Sequence, residues 1–295
     1  MSTSVCASCL SFSIDKIVKS QPTMKPTWLD KIDYVEEFIK KVTDFKIRKQ
    51  NKYDTFLDLE IKNCANKKIL YWAAESKPFY DVFTKDAKTA YGNFNNYGVA
   101  KCDDKGKFRV YFKFPQVYST IEKGKRTPQT YHPHLHFVIS NHDETKWLSQ
   151  IYTKIVVKNL NYVDMERRRT YNNMYFLLNT LPCEYYSQDH IPNSFNLHYK
   201  QIKKMSVGEL NNWFKNVIKR HYLDIDKVIN NGKLKMYEIP IICYCAHKEC
   251  NASELALEEL TKKGFVNVSL YEGGMLEYNK KINQISREFT IGWIM

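Results

Sequence analysis

The run Pro240-Ile241-Ile242-Cys243-Tyr244-Cys245 constrains this chain more than any other stretch. A short, continuous apolar run behind a proline reads as a buried strand. From Ala252 the pattern turns helical, with Leu255, Leu257 and Leu260 on the periodic positions and Gly264 as the stop. Cys245 falls at the junction between the two. Backbone N–H groups and the helix dipole at such a junction favour an anion and lower a thiol pKa. That suits a nucleophile or a sulfur carrier. The alternative is a structural thiol, since free cysteine is among the most buried residue types.

The surrounding segments carry a resemblance. After the helix comes Gly264-Phe265-Val266-Asn267-Val268-Ser269-Leu270-Tyr271-Glu272-Gly273-Gly274-Met275-Leu276-Glu277-Tyr278. It resembles the closing segment of a rhodanese (sulfurtransferase) domain, with Tyr278 in the place of the usual helical aromatic. Upstream, Asp189-His190-Ile191-Pro192-Asn193-Ser194-Phe195-Asn196-Leu197 is similar to the family's Gly-His-Ile-Pro-Gly-Ala-Ile-Asn segment, and Phe176-Leu177-Leu178-Asn179 fills the place of its first strand. The resemblance covers 165–295 and implies a parallel-sheet α/β domain that needs no cofactor. It also implies a small sulfur donor, a thiol acceptor, and a persulfide on Cys245.

The active loop would be Ala246, His247, Lys248, Glu249, Cys250, Asn251, Ala252 and Ser253, with backbone N–H groups holding the anion. It is longer than the common rhodanese loop and lacks an arginine. Asn179 stands where an Asp is usual and Leu181 where an Arg is usual. A Cys-based phosphatase needs Cys-x5-Arg so that the guanidinium grips phosphate bidentately; that position is Asn251, which argues against phosphatase chemistry. The added residue Cys250 can accept the sulfur or close a disulfide with Cys245. His247 and Lys248 either lower the Cys245 pKa or belong to a solvated loop.

Upstream of 165 the texture changes. Residues 1–26 read as a flexible tail, in which Cys6 and Cys9 have ligand spacing but no second pair nearby. Residues 27–51 read as an amphipathic helix, with Trp28, Ile32, Val35, Ile39 and Val42 on one face. Residues 52–142 alternate as strands do, as in Phe108-Arg109-Val110-Tyr111-Phe112, and 143–164 fit a helical linker. On a strand, His134 and His136 point to one face and can reach one ion. With Trp72-Ala73-Ala74, Tyr80, Gly92-Asn93-Phe94, Pro115 and Tyr118, the order of parts is similar to intradiol ring-cleavage dioxygenases. That resemblance implies an antiparallel β-sandwich and a non-haem ferric ion, Fe(III), on Tyr80, Tyr118, His134 and His136. Phenolate oxygens are hard donors that suit a ferric ion. The arginine that the family places just before His-x-His is missing.

The expected fold class is therefore a two-domain β and α/β protein: an N-terminal helix plus antiparallel β-sandwich, then a rhodanese-like parallel-sheet domain. A 43% hydrophobic and 26% charged composition is globular, and no apolar run approaches the ~20 residues of a membrane helix. Eight cysteines without an export signal point to a reducing, cytoplasmic setting. The net charge of +13 is dispersed, so nucleic acid is a possible partner but not the favoured one. Three functions compete: a sulfurtransferase acting through Cys245, a non-catalytic structural or virion-associated interaction protein reusing both folds, and an iron oxygenase acting through the middle domain.

Overall fold

The computed structural model describes residues 18–19, 42, 45–121, 126–171 and 173–292. Cys6, Cys9 and most of the expected N-terminal helix lie outside them. The chain divides into two units, Met1–Pro78 with Thr84–Val156, and Phe79–Phe83 with Val157–Met295.

The first unit is built on strands β1 (Val18–Lys19), β2 (Thr55–Glu60), β3 (Lys68–Ala73), β4 (Lys85–Asp86), β5 (Tyr97–Lys101), β6 (Lys107–Phe112), β7 (Tyr118–Thr120), β8 (Gln129–Tyr131), β9 (His134–Ile139) and β10 (Tyr152–Ile155). Its main sheet has the order β1-β10-β9-β3-β5, antiparallel throughout. Alternation along β3 and β9 sends Ile69, Tyr71, Leu135 and Phe137 to one face, where they pack with Phe108, Val110 and Phe112 of the β2–β6 pair. Leu70, Trp72 and Val138 go to the other face. They pack there with Tyr118 and Tyr131 of the β4-β7-β8 sheet and with helix α1 (Ala87–Tyr91).

Three expectations are corrected here. The helix over 27–51 does not cover its described end: Arg48 instead pairs with Val99, with N–H to O distances of 2.9 and 2.8 Å. Joining a sheet edge satisfies both backbone groups, whereas the last turn of a helix leaves its carbonyls without an intrahelical partner. The tail 1–26 contains Val18–Lys19, paired with Thr153 and Tyr152. The helical linker over 143–164 is interrupted by β10, in which Thr153 and Ile155 are buried while Tyr152 and Lys154 are half-exposed. Leu148, Ile151, Tyr152 and Ile155 satisfy a helical period, but the run Ile151-Tyr152-Thr153-Lys154-Ile155-Val156, with four β-branched residues and a tyrosine, equally suits a strand, and pairing with β9 decides it. The β3–β5 ladder also brings Cys64 beside Cys102. They form a buried disulfide that the sequence reading did not foresee.

The second unit carries β11 (Lys158–Asn159), β12 (Phe176–Asn179), β13 (Ser194–Asn196), β14 (Ile241–Tyr244) and β15 (Val268–Tyr271), all parallel, in the order β11-β15-β14-β12-β13. Its helices are α2 (Tyr162–Arg169), α3 (Cys183–Gln188), α4 (Tyr199–Lys204), α5 (Val207–His221), α6 (Leu223–Asn230), α7 (Ala252–Lys262) and α8 (Gly274–Gly292). The buried patterns of β12 and β14 are unbroken, as expected of strands covered on both faces. Ser206 and Glu209 close a capping box at the start of α5, with bonds of 3.2 and 2.7 Å. Among the described residues no helix is long and apolar enough to cross a membrane.

Candidate functional site

β14 is the central strand of the parallel sheet, so Cys245 leaves from its carboxyl end, where open α/β sheets place their ligand sites. The neighbouring strand end is tied to it. Thr180 donates its N–H and its hydroxyl to the Tyr244 carbonyl at 3.1 and 3.0 Å. The Tyr244 hydroxyl lies 3.1 Å from the Ile191 N–H, which donates to it, and 2.7 Å from Ser194 Oγ. Asn179 Oδ1 accepts from the Leu181 N–H and from Asn196 Nδ2 at 3.0 and 3.1 Å, so the amide standing in for the usual acid still organises this edge. Asn193 has φ of +63°, in the left-handed region, which explains why the residue replacing the second glycine of the similar segment is an asparagine.

The far wall is the Glu272-Gly273-Gly274 corner. The Met275 and Leu276 N–H groups at the start of α8 donate to the Cys245 and Ala246 carbonyls at 3.0 and 2.9 Å. Gly274 has φ of +58°, and a Cβ there would lie 2.4 Å from the Cys245 carbonyl oxygen and 2.8 Å from the Ala246 carbonyl carbon. Gly274→Ala is therefore expected to cost about 1–3 kcal/mol of stability and to change the Cys245 alkylation rate. Urea denaturation with iodoacetamide kinetics reads both.

Cys245 is completely buried. Its Sγ lies 3.0 Å from the Cys250 carbonyl, 3.7 Å from the His247 carbonyl and 3.3 Å from Ser253 Oγ. Ser253 lies in the first turn of α7. Around the sulfur, Ser253 presents its hydroxyl, and His247 and Cys250 present carbonyl oxygens where the sequence led to an expectation of N–H groups. A turn closed by the Cys250 N–H on the His247 carbonyl at 2.9 Å folds the longer loop inward and aims those carbonyls at the thiol. His247 faces Glu249 at 3.1 Å instead of the sulfur. Burial raises the Cys245 pKa; Ser253 opposes that, and the Cys250 side chain adds to it. Since the thiolate is the reactive form, alkylation of Cys245 should still be rising with pH above the usual thiol value of ~8.5. A plateau below that value would contradict this environment. Cys243 is fully buried and its pKa is also raised, again by burial first.

In the first unit, the expected His-x-His pair sits on one face of β9. His134 Nε2 is 3.0 Å from His136 Nε2 and 3.0 Å from the Tyr118 hydroxyl, all buried. His134 Nδ1 meets the His132 carbonyl at 2.6 Å and must donate to it, which leaves one lone pair on Nε2 facing two partners. His136 Nδ1 lies 2.9 Å from Thr153 Oγ1, its neighbour on β10. Burial holds both imidazoles neutral: His134 is pushed down to about 4, and His136 is lowered by burial and then by His134.

Tyr80 is corrected. It is 56% exposed, in the Phe79–Phe83 segment that groups with the second unit. The phenol that meets Tyr118 is Tyr91, buried, with its hydroxyl at 3.4 Å. Tyr91 was missed although it directly precedes Gly92-Asn93-Phe94, at the end of a helix capped by Asp86. Among the described residues no group of three or more His, Cys, Asp or Glu side chains is placed to hold a metal ion; the cluster here is two imidazoles and a phenol.

Residues 165–281 match the rhodanese-like domain family model. No curated protein matches the chain. Among solved structures, a single-domain sulfurtransferase of Saccharomyces cerevisiae is similar at 15% identity, over 43% of this chain and 91% of that one, with a TM-score of 0.32. A human single-domain sulfurtransferase is similar at 13% identity, over 43% and 98%, with a TM-score of 0.31. A rhodanese-related protein of Thermoplasma volcanium is similar at 19% identity, over 42% and 92%, with a TM-score of 0.28. The C-terminal part of this chain, residues 165–281, is a rhodanese-like domain.

Proposed function

We propose that the rhodanese-like domain is a sulfurtransferase in which Cys245 carries the sulfur as a persulfide. The observation that carries this reading is the position of Cys245, at the carboxyl end of the central parallel strand with Ser253 of α7 facing its sulfur at 3.3 Å. The Cys245 thiolate attacks the outer sulfur of a small anionic donor such as thiosulfate. An S–S bond forms to Cys245, and sulfite leaves with the electron pair of the broken bond. A thiol or cyanide then attacks the outer sulfur and frees the Cys245 thiolate. Because Cys245 is buried, the 246–253 loop opens to admit the donor. The Ser253 hydroxyl and the first turn of α7 supply the dipoles that favour the anion. The test is thiocyanate formation from thiosulfate and cyanide. Turnover by the wild type or by Cys250→Ser supports the reading, and equal rates with and without either protein contradict it.

A second reading concerns the first unit and rests on a separate observation, the convergence of Tyr118, His134 and His136. Two donors ~2.1 Å from one ion at right angles lie ~3.0 Å apart, the spacing found for both pairs. Both Nδ1 atoms are engaged by His132 and Thr153, which orients both Nε2 atoms inward, as ligand imidazoles require. These residues fit a ferric ion, held by Tyr118, His134 and His136 with Tyr91 replacing Tyr80 as the neighbouring phenol. A ferric ion would supply Lewis acidity and a visible phenolate charge-transfer band. Metal analysis of the purified protein should find iron, and Tyr118→Phe should lose the band. Metal-free wild type that remains metal-free after incubation with ferric or ferrous iron would leave the cluster a hydrogen-bonded core.

A further inference from the structure

We infer that Cys250 is a second reacting thiol, which resolves the Cys245 persulfide by closing a Cys245–Cys250 disulfide and expelling hydrosulfide. The inference rests on the sulfurtransferase reading and deepens it. Three observations carry it. First, the turn from His247 to Cys250 folds the loop over the active cysteine, so that the Cys250 carbonyl lies 3.0 Å from Cys245 Sγ. The backbone of residue 250 therefore stands against the sulfur, and its side chain departs from the same turn. Second, Cys245 is fully buried while Cys250 is partly exposed, so the thiol that solvent and reductant reach is Cys250. Third, the carbonyls of His247 and Cys250 face the sulfur. Carbonyl oxygens accept hydrogen bonds and repel an anion, so they favour a persulfide in its protonated form. A protonated persulfide is an electrophile at its inner sulfur, and a deprotonated one is a nucleophile.

The chemistry balances without an outside oxidant. The Cys250 thiolate attacks Cys245 Sγ and the Sγ–Sγ bond forms. The bond from Cys245 Sγ to the outer sulfur breaks, and its electron pair leaves with hydrosulfide. Two cysteines are oxidised to a disulfide, and the outer sulfur is reduced to sulfide. The proton lost by Cys250 goes to solvent. A small dithiol returns the disulfide to two thiols and readies the site for another donor. On this account the longer loop makes the domain a sulfide-releasing sulfurtransferase, not one that stores its sulfur until an acceptor arrives.

The test uses the full chain, reduced and freed of reductant, then treated with thiosulfate. The wild type, Cys250→Ser and Cys245→Ser are compared by non-reducing intact mass, peptide mapping and bimane trapping of sulfide. Cys183→Ser serves as a control for the exposed thiol of α3. The wild type should release one equivalent of sulfide and end about 2 Da lighter, with Cys245 joined to Cys250, and Cys183→Ser should do the same. Cys250→Ser should release none and retain about 32 Da on Cys245. If the wild type keeps the added sulfur on Cys245 as long as Cys250→Ser does, this inference is overturned and the sulfurtransferase reading stands. If neither takes up sulfur, or if Cys245→Ser loads normally, the sulfurtransferase reading falls and this inference with it. Cys250→Ala repeats the comparison with a residue that makes no side-chain hydrogen bond in the loop.

Discussion

Cys245→Ser is expected to lower sulfur transfer on the order of 10³-fold or more, the scale seen when a nucleophile is removed. The serine hydroxyl is nearly isosteric, but at its ordinary pKa it offers almost no alkoxide, and it cannot hold a labile sulfur atom. Its hydroxyl would keep the contacts with Ser253 Oγ and the Cys250 carbonyl, so the fold should survive. The matched control is Cys243→Ser, on the same strand and also fully buried. It places a hydroxyl in the sheet core and should cost about 1–3 kcal/mol of stability while leaving sulfur loading in place. Thiocyanate formation and urea unfolding on the two variants separate chemistry from stability. Equal loss of activity in both would indicate that the strand, and not the thiol, is what matters.

Phe176→Ala should have the largest effect on stability. Phe176 is fully buried on β12, with its ring centroid 4.8 Å from Tyr222, 4.9 Å from Phe214 and 5.8 Å from Trp213. Truncation removes a ring from the joint between the sheet and α5, and the expected cost is about 3–5 kcal/mol. A domain of this size has only ~5–15 kcal/mol in hand, so the second unit should lose much of its margin. The damage should also reach the site. Tyr222 stacks on Phe176, donates its hydroxyl to the Asn193 carbonyl at 2.6 Å, and accepts from the Leu177 N–H at 3.2 Å. Releasing Tyr222 loosens the 189–193 loop that Tyr244 holds from the other side. Thermal unfolding and amide hydrogen exchange over 189–197 measure both effects.

The parallel sheet was legible because its signals are local. The apolar run 240–244, the helical spacing after Ala252 and the Glu-Gly-Gly corner each lie within a few residues of Cys245. These pieces put the cysteine at a strand-to-helix junction, and the rhodanese resemblance they carry implies the parallel sheet around it. The His-x-His pair was legible for the same reason, since alternation along one strand puts His134 and His136 on one face.

What escaped depends on geometry that residue types do not encode. The dioxygenase resemblance implied Tyr80, but the phenol beside Tyr118 is brought there by a capped helix packed on the sheet, and it is Tyr91. The β10 strand satisfied a helical period by coincidence, and its pairing with β9 settled the conformation. The Cys64–Cys102 disulfide joins residues that only the β3–β5 ladder makes neighbours. The direction of the loop carbonyls is a matter of peptide orientation. The longer loop hinted at a difference, but not that His247 and Cys250 would turn oxygens towards the sulfur.

The central claim is that Cys245 takes up sulfur. Peptide mapping of Cys250→Ser after thiosulfate treatment tests it most directly, because that variant lacks the thiol expected to discharge the persulfide. The account predicts an addition of about 32 Da, removable by a reductant, on the peptide bearing Cys245, and none on those bearing Cys183 or on Cys243. An unmodified Cys245 peptide, or the same addition located on another cysteine, would contradict it.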